Sequence, residues 1–408
     1  MKRYRVYLDS AQWTCYSNFT ILSKIYKYLI RNNHLITNNI KEADYIIINS
    51  CGHTDISEKN TVNIYNKLNN SKKTNAKILI IGCLVSINKE KLKSFNANLI
   101  ELDYLDELDD IFYRRCNFKD IPDSCSIELK KNIMEKKILK TYKNHFMFFY
   151  PLSTLLSKKI KRNLKYFVDL SDGNNVVFIK IGQGCTGNCS YCAIKSAKGK
   201  PKSRSIEDII SDIDEVYHPS KTFYFVADDC GSYGIDIKTT LPDLLFKINE
   251  NFPNIKIHLQ YLEPVWLKNF PKEYFKLFKE VNIKFVTIPL QSGSNKLISL
   301  MNRSYDVDEI IEVINRIRKI SLKTTLSTYF IVGFHGETIH DFLLSIKTSK
   351  YFDISFLMPF SERKGTECVK FNKKKSKFNI MLRYCVALLL TKILFLIKLM
   401  KYEYTDTE

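Results

Sequence analysis

Short apolar runs alternate with amphipathic stretches along most of this chain, and that alternation limits what it can fold into. In the N-terminal third, Arg5 to Asp9, Tyr45 to Asn49 and Ile78 to Ile81 read as buried strands of a parallel sheet. Between them, Thr20 to Arg31 carries apolar residues at helical spacing, and a second helix fits from about Ser57 to Leu68. Strand, helix, strand, helix, strand is the grammar of an open α/β sheet. Further strand-like runs follow at Phe178 to Ile181, Thr222 to Ala227, Ile255 to Leu259, Lys284 to Ile288, Thr325 to Val332 and Ile354 to Phe356. Amphipathic stretches such as Glu207 to Val216 and Val307 to Ile320 separate them, a succession that predicts a partial (β/α)6, TIM-like barrel. The chain divides into residues 1–130 as an N-terminal α/β domain, 131–170 as a connector, 171–370 as the barrel and 371–408 as a helical extension.

Ligands in either domain are expected at the carboxyl ends of the strands. The strand at Phe178 to Ile181 runs into Gly184-Cys185-Thr186-Gly187-Asn188-Cys189-Ser190-Tyr191-Cys192, which places three thiols in one short loop. Three thiolates can hold three corners of a cubic iron–sulfur cluster and leave the fourth iron open. Two other readings remain at this point: structural zinc completed by a distant residue such as His258, and three unrelated buried cysteines. Gly182, Gly184 and Gly187 favour a backbone bent to present the thiols. In the N-terminal third, each strand region is followed by a cysteine: Cys15, Cys51 and Cys83. Loops at equivalent strand ends converge, so these three are a candidate second metal site, although each alone would pass for a buried residue. Cys116 and Cys125 lack strand context and read as structural.

The Cys-x3-Cys-x2-Cys order with Tyr191 before the last cysteine resembles the cluster loop of radical S-adenosylmethionine (SAM) enzymes. The resemblance implies that Cys185, Cys189 and Cys192 hold a [4Fe-4S] cluster whose open iron chelates the amino and carboxylate groups of SAM. One electron, from a flavodoxin or ferredoxin-type donor, would then cleave SAM to methionine and a 5'-deoxyadenosyl radical. The stretch Ala43 to Cys51, and Cys15 followed by Asn18, are similar to the motifs of the methylthiotransferase branch of that family. This implies a second [4Fe-4S] cluster on Cys15, Cys51 and Cys83, with sulfide or persulfide as a sulfur source. Trp13 and Thr14 stand where the usual pattern has a glycine.

Further segments extend the resemblance over roughly residues 3 to 370. Lys198 to Arg204 is expected to help enclose SAM, with Arg204 suited to a bidentate pair with its carboxylate. Val226 to Asp236 resembles the ribosomal-protein aspartate methylthiotransferases, with Asp228 in place of the usual Gln. Asp228, Asp229 or Tyr233 is expected to hydrogen-bond SAM or substrate. Gln291 and Ser292 lie in Ile288 to Asn295, and Gly333 and Glu337 in Phe330 to Thr338, where His335 replaces the customary Pro; these four, with Tyr191, are expected to bind the cofactor.

Two features bear on the substrate. The formal net charge of +20 favours an anionic partner such as tRNA, a ribosomal surface or an acidic peptide. Family members usually end in a small β-barrel, the TRAM domain, whereas Met381 to Met400 reads here as one helix. Lys392 and Lys398 interrupt it, short of a transmembrane span, so packing on the barrel or on a dimer partner is expected. A substrate entrance without that barrel suits a peptide or protein residue, for example the β-carbon of aspartate in a small precursor peptide or protein loop. The alternative target is an adenosine of tRNA; a non-catalytic iron–sulfur or RNA-binding protein is a remote one. Cysteines spaced for metal, with no N-terminal targeting signal, predict a reducing, cytoplasmic setting.

Overall fold

A computed structural model describes residues 3–12, 15–126 and 176–403. The connector 131–170, together with Trp13 and Thr14, lies outside the described residues. The first domain is a five-stranded parallel sheet of β1 (Arg5–Ser10), β2 (Leu35–Ile36), β3 (Tyr45–Ser50), β4 (Lys77–Gly82) and β5 (Asn98–Ile100), in the order β2-β1-β3-β4-β5. The central strands read as unbroken apolar runs because both of their faces are covered. Ile47, Leu79 and Ile81 pack with Ile21, Leu22, Ile25 and Leu29 of α1 (Tyr16–Arg31). On the other face, Ile46, Ile48, Ile78 and Ile80 pack with Tyr65 and Leu68 of α2 (Asp55–Ser71), whose N-cap is Thr54. The one-turn helix α3 (Cys83–Ile87) follows β4 directly.

The second sheet joins β6 (Ser124–Ser126) to β7 (Val176–Lys180), β10 (Thr222–Val226), β11 (Lys256–Leu259), β12 (Ile283–Thr287), β13 (Thr325–Val332) and β14 (Ile354–Pro359) in the order β14-β13-β12-β11-β10-β7-β6. The two short strands between, β8 (Gly182–Gln183) and β9 (Lys202–Ser203), pair only with each other. Six strands of the large sheet are parallel in chain order, as a partial barrel requires, and β6 adds antiparallel to β7. Cys125, expected to lack strand context, therefore sits on a strand, opposite Phe178.

Outward residues such as Ile179, Phe225, Leu259 and Val286 pack under the surrounding helices, α5 (Ile206–Asp214) to α8 (Val307–Ile320) among them; α4 (Ile194–Lys198), α6 (Leu241–Asn251), α7 (Pro271–Glu280) and α9 (Ile339–Thr348) complete the numbering. Inward residues form an aromatic ladder across neighbouring strands. Phe178 and Tyr224 have ring centroids 5.2 Å apart, Tyr224 and His258 4.5 Å, and His258 and Phe285 5.6 Å. Tyr16 and Phe19 of α1 lie on the Phe178 end of this ladder, at 5.0 and 5.3 Å, so the N-terminal domain is seated over the open side of the barrel.

That seat is fastened at a second point. Asp55 N–H donates to Ser361 Oγ at 3.1 Å, and the buried Arg363 guanidinium binds Asp55 at 2.9 Å and the buried Glu58, both on α2. The final helix, α10 (Lys377–Glu403), packs along β13 and β14 through Ile380 and Ala387, while Phe378, Leu382, Val386, Leu389 and Ile393 are exposed. Among the described residues, no helix is long and apolar enough to cross a membrane.

Candidate active site

The cysteine loop is closed at its base by the antiparallel pairs Gly182 with Ser203 and Gln183 with Lys202. Gly184 makes the turn into it at φ +84, and a Cβ there would lie 2.3 Å from the Lys200 carbonyl oxygen, so only glycine fits. Behind the loop, Ser190 N–H donates to Met301 O at 3.0 Å and Ser190 O accepts from Cys368 N–H at 2.8 Å. Asn302 Nδ2 holds Asn188 O at 2.8 Å. These bonds spend the backbone groups on the far side and leave the thiols on the near one.

Around the sulfurs, Gly187 N–H points at Cys185 Sγ (3.2 Å) and Ile194 N–H at Cys192 Sγ (3.4 Å). A Cβ on Gly187 would meet Cys185 Sγ at 3.2 Å and Cys189 Sγ at 3.7 Å, so two sulfurs converge over a bare Cα. Burial pushes the Cys185 and Cys192 thiols up to about 12; Asp229 adds to the rise at Cys185, while the amide donors oppose it at both. Thiols buried this way, yet supplied with donors to sulfur, suit thiolates whose charge a bound metal group offsets.

The first sheet brings the second triplet together as its strand order requires. Cys15 caps α1 just past β1, Cys51 follows β3, Cys83 opens α3 after β4, and those strands are neighbours. Cys51 and Cys83 are buried and Cys15 is half-buried. Burial, then the proximity of Cys15, raises Cys51. Burial takes Cys83 up to about 12; Lys198 acts against that rise, and Cys51 and Cys15 add to it. The Asn18 carboxamide, 1% exposed, has no hydrogen-bond partner for either polar atom among the described residues. Nor does Asn49 Oδ1, which lies beside Gly82 at the same edge. Orphaned buried polar atoms around three thiols fit a site built for a further group. Among the described residues, no three His, Cys, Asp or Glu converge closely enough to share a single metal ion.

Between the triplets stands an ion pair that the sequence did not single out. Lys198, 2% exposed at the end of α4, binds Asp228 Oδ1 at 2.6 Å and Ser17 Oγ at 2.7 Å. Asp228 Oδ2 accepts the Gly184 N–H at 2.9 Å. Both Asp228 oxygens, expected to meet SAM or substrate, are thus engaged within the protein.

Other expected ligand residues are also turned inward. Arg204, expected to pair with the SAM carboxylate, is bound to Asp212 at 2.8 Å and to the Lys180 carbonyl at 3.0 Å. Asp229 is fully enclosed by Trp266 Nε1 (2.8 Å), Ser232 and the Gly231 and Glu263 amides; burial lifts it to about 6. The Tyr233 hydroxyl donates to Arg204 O, and the Tyr191 hydroxyl accepts from Arg303, which also pairs with Glu263. Through Tyr191, Arg303 anchors the cluster loop from behind. Gln291 holds φ +67 and bridges to β13 at Phe330, and Ser292 is buried against Ser345.

Gly333, expected to bind the cofactor, holds φ +83, and a Cβ there would lie 2.9 Å from Ile380, so the glycine admits α10. Gly333→Ala is expected to destabilise the chain by about 1–3 kcal/mol, from strain and lost packing, read as a lowered urea midpoint. Glu337 accepts from Gly333 N–H at 3.1 Å and from Arg383 of α10 at 2.8 Å. Burial outweighs Arg383 and lifts its carboxyl to about 7. A raised carboxyl contributes stability below its ordinary value and loses it as pH rises through the folded value. The stability difference between wild type and Glu337→Gln is therefore expected to fall by about 3 kcal/mol between pH 4.5 and 7, measured by urea unfolding.

Comparison with known proteins follows the same two domains. A model of the radical SAM superfamily matches residues 179–348, and the model described as uncharacterized protein family UPF0004 matches residues 8–101. Over 332 residues the chain is 29% identical to the ribosomal protein uS12 methylthiotransferase RimO of Thermosipho africanus, covering 80% of this chain and 69% of that protein. It is 28% identical to a probable threonylcarbamoyladenosine tRNA methylthiotransferase of Archaeoglobus fulgidus, over 81% of this chain and 71% of that one. A tRNA-2-methylthio-N(6)-dimethylallyladenosine synthase of Thermosipho melanesiensis is 29% identical, over 84% and 73%. Among solved structures, the cobalamin-dependent SAM radical enzyme OxsB superposes with a TM-score of 0.54 at 12% identity, over 85% of this chain and 52% of that one, a likeness of fold. With both domains matched and methylthiotransferases similar over most of its length, the chain belongs to the radical SAM methylthiotransferase family and is an enzyme of that class.

Proposed function

We propose that this enzyme inserts a methylthio group at an unactivated C–H bond of a peptide or protein residue, using one [4Fe-4S] cluster on Cys185, Cys189 and Cys192 and a second on Cys15, Cys51 and Cys83. The observation that carries the reading is the pair of cysteine triplets on either side of the Lys198–Asp228 ion pair, one from each domain. When bound, the clusters supply the electron that cleaves SAM and a seat for the sulfur to be transferred. The protein's own work is positional. The Gly187 and Ile194 amides hold sulfurs, the Ser190 and Asn188 contacts fix the loop, and α1 seated over the barrel keeps water from the space between the domains.

A peptide or protein target, with aspartate the leading residue, is supported by the likeness of Val226 to Asp236 to the ribosomal-protein enzymes. A tRNA adenosine is the second reading, favoured by the net charge of +20 and by tRNA-modifying relatives of equal similarity. The electron would come from a flavodoxin or ferredoxin-type donor in a cytoplasmic setting, and the exposed stripe of α10 from Phe378 to Ile393 would seat a dimer partner. Reconstituted enzyme given reductant, SAM and sulfide is to be incubated separately with ribosomal proteins, with any precursor peptide encoded beside its gene, and with tRNA. A methylthio mass gain on a protein or peptide residue is expected; a gain confined to a tRNA nucleoside overturns the peptide reading.

A further inference from the structure

We propose that Lys198 is the positioning residue of the N-terminal cysteine site, a fixed positive charge that the barrel domain delivers to a group bound on the other domain's thiols. The inference rests on the reading of Cys15, Cys51 and Cys83 as a cluster site. Lys198 ends α4, which packs against α3, the helix that Cys83 opens, and its neighbour Ala197 is buried in the core of the first domain rather than of the barrel. The ammonium thereby crosses the domain boundary and reaches Ser17, two residues beyond Cys15.

Its surroundings suit a counter-charge. Lys198 is the cation that acts on both Cys51 and Cys83, and Cys83 and Cys15 act back on it. A cluster on three thiolates is an anion, and taking it out of water beside no cation is costly. One carboxylate, Asp228, pairs with Lys198 and holds it in place. The other oxygen of that carboxylate reaches the Gly184 amide at the head of the barrel's cysteine loop, so a single ion pair sets the spacing of the two triplets.

A nearby positive charge favours adding an electron to a cluster, and removing it does the reverse. A mere latch between domains, by contrast, would act through hydrogen bonds and leave the potential alone. The test uses the full chain with Cys185, Cys189 and Cys192 replaced by Ala, loaded anaerobically with iron and sulfide, so that only the N-terminal site is read. Its midpoint potential is measured by electron paramagnetic resonance during a redox titration. In this background Lys198→Met is expected to shift the potential downward, Asp228→Asn to shift it upward, and Lys198→Arg and Ser17→Ala to leave it near the parent value. Loss of the cluster in Lys198→Met with retention in Lys198→Arg supports the same conclusion. An unchanged potential in Lys198→Met, a shift in Ser17→Ala as large as that in Lys198→Met, or loss of the cluster from both Lys198 variants in a folded chain overturns it. A parent that binds no iron at all instead removes the two-cluster reading beneath it, an outcome visible before any Lys198 variant is made.

Discussion

Cys189→Ala is expected to reduce reductive SAM cleavage to background while the N-terminal site keeps its iron. The intact chain should take up about eight irons on anaerobic reconstitution and the variant about four. The complementary substitution, Cys51→Ala, should also leave about four irons, now in the barrel, and should preserve SAM cleavage while abolishing methylthio insertion. The two variants separate because each triplet lies in its own domain and its own core: Cys189 in a loop held by Met301 and Cys368, Cys51 at the end of a strand buried between α1 and α2. Iron and 5'-deoxyadenosine are the two quantities to measure. An unsubstituted protein with only about four irons would falsify the two-cluster reading.

Arg363→Met is expected to destabilise the chain by about 3–5 kcal/mol, the range for removing one partner of a buried ion pair. Arg363 is 5% exposed and Glu58 2%, so the carboxylate it leaves behind has Lys91, at 2.7 Å, and little water. The urea midpoint reads the loss. Arg363→Lys should recover little of it, because the guanidinium fork meets Asp55 and Glu58 at once and an ammonium cannot. Since the clamp joins the two domains through α2, which begins four residues after Cys51, the Met variant should still cleave SAM but transfer sulfur poorly. Equal loss of both activities would show that Arg363 serves the barrel alone.

The sheet domains and both triplets were legible in the sequence because burial on two faces writes unbroken apolar runs, and because parallel strands deliver their following residues to one edge. The strands that escaped notice, Leu35–Ile36, Asn98–Ile100, Ser124–Ser126, Gly182–Gln183 and Lys202–Ser203, are too short to carry a period. Among side chains, the sequence is least informative where a residue meets a partner outside its own segment. The Asp212 partner of Arg204 and the approach of Ile380 to Gly333 leave no local pattern. Lys198 lies in a basic run expected to help enclose SAM; its burial depends on a domain contact that no local pattern encodes.

The Arg363 clamp also bears on the order in which the protein is put together. Asp55 and Arg363 are 308 positions apart, so a chain leaving the ribosome has finished β1 to β4 long before its clamp exists. Contacts of such long range form late, after the barrel has closed. The sheet that carries Cys15, Cys51 and Cys83 is therefore laid down before the barrel, and the contacts of Ser361 and Arg363 with Asp55 are among the last to join the two.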